Sequence, residues 1–112
     1  MITLKTLPSA TAQEVFDQVR DHLLSQGERS EEDICLYRGP RGLKCAAGCL
    51  IGDDEYEPEF EGKGWFTLVG EGKIPKEHSK LIRLLQEVHD SMFPEDWGEG
   101  LKLVAEKFNL KY

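Results

Sequence analysis

The chain has 112 residues, which suits one domain with a hydrophobic core of its own. Its 39% hydrophobic and 31% charged residues exclude a disordered chain, which needs fewer apolar residues and a stronger charge imbalance. A net charge of −7 argues against direct nucleic-acid binding, where Lys and Arg neutralise phosphates, and against docking on an anionic membrane surface.

In chain order, the start Met1-Ile2-Thr3-Leu4-Lys5-Thr6-Leu7-Pro8 has neither the basic leader nor the apolar stretch of a signal peptide, and no later run is long enough to span a bilayer. The expectation is a soluble, cytoplasmic protein. Thr11-Ala12-Gln13-Glu14 is a capping-box pattern, in which the Thr hydroxyl and the Glu carboxylate satisfy orphan amides reciprocally. Val15, Phe16, Val19, Leu23 and Leu24 follow at helical spacing and Gly27 supplies a stop, so a helix is expected over 11–26.

Residues 28–33 form a charged connector. Ile34–Arg38 is rich in strand formers, Gly39-Pro40-Arg41-Gly42 has turn chemistry, and Leu43–Cys45 returns as a partner strand, giving a small β-hairpin. The run Cys45–Ile51 consists mostly of small apolar residues. It suits a short helix lying close to another element, with Gly48 permitting the approach, although a buried strand fits the same pattern. Residues 52–64 read as a loop with an acidic stretch over 53–61. Trp65–Val69 reads as a short helical turn ending at glycine, with a strand as its near-equal rival.

Leu81, Leu85, Val88 and Met92, joined by Ile82 and Leu84, predict an amphipathic helix over 76–92. Pro94 ends it and opens a last helix, with Glu95 and Asp96 at its start and Asn109 as an end cap. Gly98 and Gly100 each weaken that helix by about 1 kcal/mol, and burial of Trp97 and Phe108 would have to offset this. The expected architecture is mainly α, or α+β with a small β-hairpin. Three main helices surround one core within a single domain, 1–112, and the hairpin and acidic loop are inserted after the first.

The segment Tyr37-Arg38-Gly39-Pro40-Arg41-Gly42-Leu43-Lys44-Cys45-Ala46, leading into Leu50-Ile51-Gly52-Asp53-Asp54, resembles a group of small uncharacterised proteins encoded by bacteria and their phages. Leu85-Gln86-Glu87-Val88-His89-Asp90 with Trp97 looks like the second half of the same group. The resemblance implies a bacterial or phage source and brings no activity with it. One departure is Gly52, where the group's pattern has proline, a change expected to loosen the start of the acidic loop.

Cys35, Cys45 and Cys49 are an odd set with no export signal, so they read as reduced thiols rather than a disulfide framework. Their leading reading is core packing, since free cysteine behaves as a small hydrophobe. Three chemical readings stand beside it, the least specific being oxidation sensing by the thiols. Cys45 and Cys49, four apart, could join Cys35 and His78 or His89 around zinc, but the second close ligand pair of a zinc module is missing. Alternatively, Cys45 at a helix start beside Lys44 would be an activated thiol, with His89 and Asp90, or His78, supplying the base. His22 beside the first helical stripe is given no role. No phosphate-cradling glycine motif, zinc-protease helix motif or nucleophile elbow is present.

Tyr37, Arg38, Arg41 and Lys44 cluster at the proposed turn, and Asp53, Asp54, Glu55 and Tyr56 open the acidic stretch. Tyr and Arg dominate interface hot spots, so both groups are candidate partner-binding residues. The rival reading is that the cations face the acidic loop of the same chain. That loop lacks the ligand spacing of an EF-hand; charge mimicry of a nucleic acid, as a decoy for a basic protein, is a further reading beside a merely solvated loop. The resulting expectation is a non-catalytic accessory protein that binds a host protein, with no cofactor and no metal. The alternative is a Cys/His enzyme or zinc module centred on Cys45 and Cys49. The oligomeric state is left open.

Overall fold

The computed structural model describes residues 1–112. Four α-helices carry the fold: α1 (Ala12–Gln26), α2 (Trp65–Gly70), α3 (Ser79–Ser91) and α4 (Trp97–Lys107). α1 starts at the capping box, with Glu14 N–H donating to Thr11 Oγ1 at 3.1 Å and Thr11 N–H donating to Glu14 Oε1 at 2.8 Å. It ends at Gly27, in the left-handed region at φ 68. Val15, Phe16, Val19 and Leu23 are buried, whereas Leu24 turns out to solvent.

α3 begins at Ser79 rather than at 76, because His78 sits at φ 64 and interrupts any earlier helical turn. Its buried face, Leu81, Ile82, Leu85 and Val88, packs against α1, α2 and α4. A single 3₁₀ turn, Pro94–Asp96, leads into α4. Trp97 is fully buried and its Nε1–H donates to Met92 O at 3.2 Å, while Phe108 is half-buried. Gly100 faces α3. A Cβ there would lie 2.4 Å from Met92 Sδ and 3.1 Å from Val88 Cγ1, so the missing side chain is what lets α4 close on α3. The helical cost of this glycine is thereby offset by packing.

The expected β-hairpin over 34–45 does not form. Pro40–Gly42 is a 3₁₀ turn with Arg41 and Gly42 at positive φ, closed by Leu43 N–H to Pro40 O at 3.1 Å and Gly39 N–H to Leu43 O at 2.8 Å. The groups a ladder would use are bound elsewhere. Ser30 Oγ lies 2.7 Å from Leu36 O and 3.3 Å from Leu43 O, and the amides of Tyr37 and Arg38 donate to the Glu61 carboxylate. Extended pairing is confined to β1 (Glu31–Glu32) and β2 (Ile34–Cys35), antiparallel across Asp33 at φ 71, and it builds no larger sheet. The fold is therefore mainly α.

The stretch after Cys45 is a tight turn with a 3₁₀ segment at Gly48–Leu50. A Cβ on Gly48 would sit 2.3 Å from Tyr37 O, so this turn lies directly on the backbone of residue 37. Residues 52–64 form an irregular connection with a 3₁₀ turn at Pro58–Phe60. One continuous core joins all four helices, the Leu4–Leu7 region and the Tyr37–Phe60 segment.

Candidate functional site

Gln86, His89 and Asp90 lie three and four residues apart, which places them on one side of α3 near its C-terminal end. They meet Cys35 at the end of β2. Asp90 Oδ1 accepts from His89 Nδ1–H at 2.7 Å and from Gln86 Nε2 at 2.8 Å. Gln86 Nε2 also donates to Cys35 Sγ at 2.9 Å, and Cys35 Sγ lies 4.0 Å from His89 Nδ1. The other ring nitrogen, His89 Nε2, accepts from Ser30 N–H at 3.0 Å. Trp97 stacks on the ring, with centroids 5.5 Å apart, and Arg29 donates to the carbonyls of His89 and Met92.

The Cys35, His89 and Asp90 donor atoms all fall within 4.8 Å of one another. Beside them opens a cleft of about 310 Å³, whose walls include Ile34, Cys35, Tyr37, Trp65, Gln86 and Asp90. Trp65 Nε1 is buried there without a hydrogen-bond partner.

The chemistry available to this cluster follows from the tautomer. A backbone amide can only donate, so His89 Nε2 carries no proton and Nδ1 carries the one shared with Asp90. Burial opposes a charge on the ring, while Asp90 and Cys35 favour one and, with burial set against them, would still lift it to about 9. The Ser30 N–H decides the matter, because a protonated Nε2 would set N–H against N–H. The folded ring is neutral.

Three consequences follow. Cys35 and Asp90 both address Nδ1, so the imidazole is not disposed as a relay with the thiol on one nitrogen and the carboxylate on the other. A metal on Nδ1 would require the proton on Nε2, where the Ser30 amide already points. Third, the Cys35 thiol is held well above its usual range, first by the neighbouring Cys45 thiol and then by burial, so it is not a nucleophilic thiolate at neutral pH.

Cys45, the thiol first matched with His89 and Asp90, is fully buried, accepts from Gly48 N–H at 3.3 Å and opens no helix. Cys49 donates to Ala46 O, and burial pushes it up to about 12. His78 donates to Ala10 O, and His22 donates to Lys44 O, with burial holding its pKa down. Cys45, Cys49 and either downstream histidine therefore do not assemble as one ligand set. The histidine couple meets Cys35 instead.

The proposed binding residues are spread over a second region. Tyr37 is buried, its hydroxyl donating to Lys63 O at 2.7 Å. Arg38 donates to Gly48 O at 2.9 Å, Ile51 O at 2.6 Å and Asp53 Oδ1 at 3.2 Å, and lies over the Tyr56 ring at 5.2 Å. Lys44 Nζ is 3.6 Å from Asp53, and Arg41 pairs with Glu28 at 3.0 Å on the open surface.

Two carboxylates of the acidic stretch point inward. Glu55 accepts from the amides of Leu4, Lys5 and Gly52; burial raises its pKa, but these donors outweigh burial and hold it below the usual range. Glu61 takes the Tyr37 and Arg38 amides and the Tyr56 hydroxyl, and Tyr56 itself rises to about 12 through burial and this carboxylate. The Gly52 amide, which a proline would lack, ties down the loop start that its presence was expected to loosen. Asp53, Asp54, Glu57 and Glu59 are exposed.

Sequence reasoning overlooked Ser30, Glu61 and Gln86. For Gln86 a signal existed, since Gln-x-x-His-Asp on a helix presents all three side chains together. No helix is long and apolar enough to cross a membrane. Comparison with protein-family models, curated proteins and solved structures finds no match for this chain.

Proposed function

We propose that this protein is a small cytoplasmic accessory factor, of bacterial or phage origin, that works by binding a basic surface on a host protein through its 37–61 region. The observation that carries this reading is the division of labour within the acidic stretch. Glu55 and Glu61 bind backbone amides and Arg38 clamps the carbonyls of Gly48 and Ile51, while Asp53, Asp54, Glu57 and Glu59 stand outward on a backbone already held in place. A pre-ordered surface loses less conformational entropy on association, and clustered carboxylates steer a cationic partner.

The test reverses the outward charges and leaves the inward ones alone. Affinity capture from bacterial lysate recovers a stoichiometric partner with the unaltered chain. Asp54→Lys combined with Glu57→Lys and Glu59→Lys abolishes recovery while circular dichroism is unchanged. Equal recovery by the reversed variant, or no partner at all, sinks the proposal.

The alternative, a metal or thiol centre, has the convergence of Cys35, His89 and Asp90 within 4.8 Å in its favour. Native intact mass with and without a chelator decides it.

A further inference from the structure

Two of the three cysteines are held side by side by bridges on both flanks. Ser30 Oγ contacts the carbonyls of Leu36 and Leu43, one residue after Cys35 and two before Cys45. Gln86 donates through Nε2 to Cys35 Sγ at 2.9 Å and accepts through Oε1 from Ala47 N–H at 2.9 Å, two residues after Cys45. Between these bridges Cys45 lies near enough to be the largest influence on the Cys35 thiol, which it pushes up. The two differ in access: Cys45 has no exposed surface, while Cys35 is half-buried and forms part of the cleft wall. Cys49 is turned away, its thiol donating to Ala46 O at 3.2 Å.

We propose that Cys35 and Cys45 are an oxidisable thiol pair, which closes to an intramolecular disulfide when a small peroxide enters the cleft. Cys35 Sγ attacks one peroxide oxygen, the O–O bond breaks, and the departing hydroxide takes the thiol proton as water, leaving Cys35 sulfenic acid. Cys45 Sγ then attacks the Cys35 sulfur, the S–O bond breaks, and a second water leaves with the Cys45 proton. Both sulfurs are oxidised and the peroxide is reduced to water, so no other reagent is needed. Cys35 is the entry sulfur because the cleft reaches it, and Cys45 is the resolving sulfur because it is shielded and adjacent. As the Cys35 thiol stays protonated at neutral pH, the first step is slow there and accelerates as the pH rises. The inference is independent of partner binding.

The test exposes the full chain to graded hydrogen peroxide, blocks remaining thiols, and maps peptides under non-reducing conditions. The expected product has lost two hydrogens, contains a Cys35–Cys45 cross-linked peptide, keeps Cys49 free for blocking, and returns to the starting mass with a dithiol reductant. Cys49→Ala retains the cross-link; Cys45→Ala abolishes it and lets Cys35 advance to sulfinic acid. A cross-link through Cys49 or between chains overturns the proposal, as does sulfinic acid at Cys35 of the unsubstituted chain without a cross-link. So does full recovery of all three thiols up to the peroxide concentration that unfolds the chain. Should Cys45→Ala fail to fold, the Cys49→Ala map decides alone.

Discussion

The Ser30 amide donates to Nε2 of His89 at 3.0 Å, joining the connector after α1 to the end of α3 across 59 residues of chain. This one bond sets the tautomer of a fully buried histidine and, through Nδ1, the partner of Asp90. It also gives the site a definite pH response.

A ring held neutral by Ser30 has a folded pKa below its unfolded value of about 6.5. Its contribution is then present above that value and lost as the pH falls through it. Were Asp90 and Cys35 to outweigh burial and decide, the ring would be charged at neutral pH, and stability would decline as the pH rose through about 9. Chemical denaturation between these limits, with ¹⁵N chemical shifts of the imidazole, separates the two. The expected result is an Nδ1-protonated neutral ring at pH 7 and a midpoint that falls on acidification.

Glu55 gives a second acid response, at lower pH. Its folded pKa is depressed by three backbone amides, so its contribution is present above the ordinary carboxylate range and disappears as the pH drops through the depressed value. Glu55→Gln should destabilise by about 1–2 kcal/mol at pH 7, limited by the solvent exposure of the site, and by less in acid. Urea titrations at both pH values measure the difference. An equal cost at both would show that the charge is irrelevant.

Gln86 ties three parts of the cluster together, bonded to Cys35, Asp90 and Ala47. Gln86→Leu keeps the helix and the approximate shape but strands the Ala47 amide, and should cost about 1–3 kcal/mol. Hydrogen exchange at Ala47 should rise in step with the loss of stability. Unchanged protection at that amide would contradict the role assigned to Gln86.

The two tryptophans make opposite predictions. Trp97→Phe loses the bond to Met92 O and the stacking on His89 within a fully packed site, at a cost of about 2–4 kcal/mol. Trp65→Phe also shrinks a ring but removes an indole N–H that has no partner, so its cost should stay below about 1 kcal/mol. Paired denaturation curves for the two variants provide the comparison.

Arg38 and Arg41 separate in the same way. Arg38→Met abandons two backbone carbonyls and Asp53 and should cost about 2–3 kcal/mol, whereas Arg41→Glu, on an exposed pair with Glu28, should lie within about 0.5 kcal/mol of the parent. Similar losses for both would show that the clamp under the acidic loop is not what holds residues 48–53.

The sequence by itself determined what depends on neighbours a few residues apart. The capping box at Thr11 and Glu14, the stop at Gly27, the stripe through Leu81, Leu85 and Val88, and the Pro94 boundary are all local patterns, and they recur in the structure. The close approach at Gly48 was legible for a similar reason, since a run of small residues permits little else. Only the tertiary structure decided where the polar side chains go. Strand formers at 34–38 predict a ladder, but the Ser30 hydroxyl and the Glu61 carboxylate bind the backbone groups that a ladder would use. Cys45 looked like the partner of His89, yet Cys35 occupies that place, because the packing of β2 against α3 selects which sulfur faces the ring. A side-chain hydrogen bond spanning 24 to 60 residues leaves no periodic trace in the chain, and such bonds, from Tyr37 to Glu61 and from Arg29 to His89, assemble both the cluster and the acidic surface.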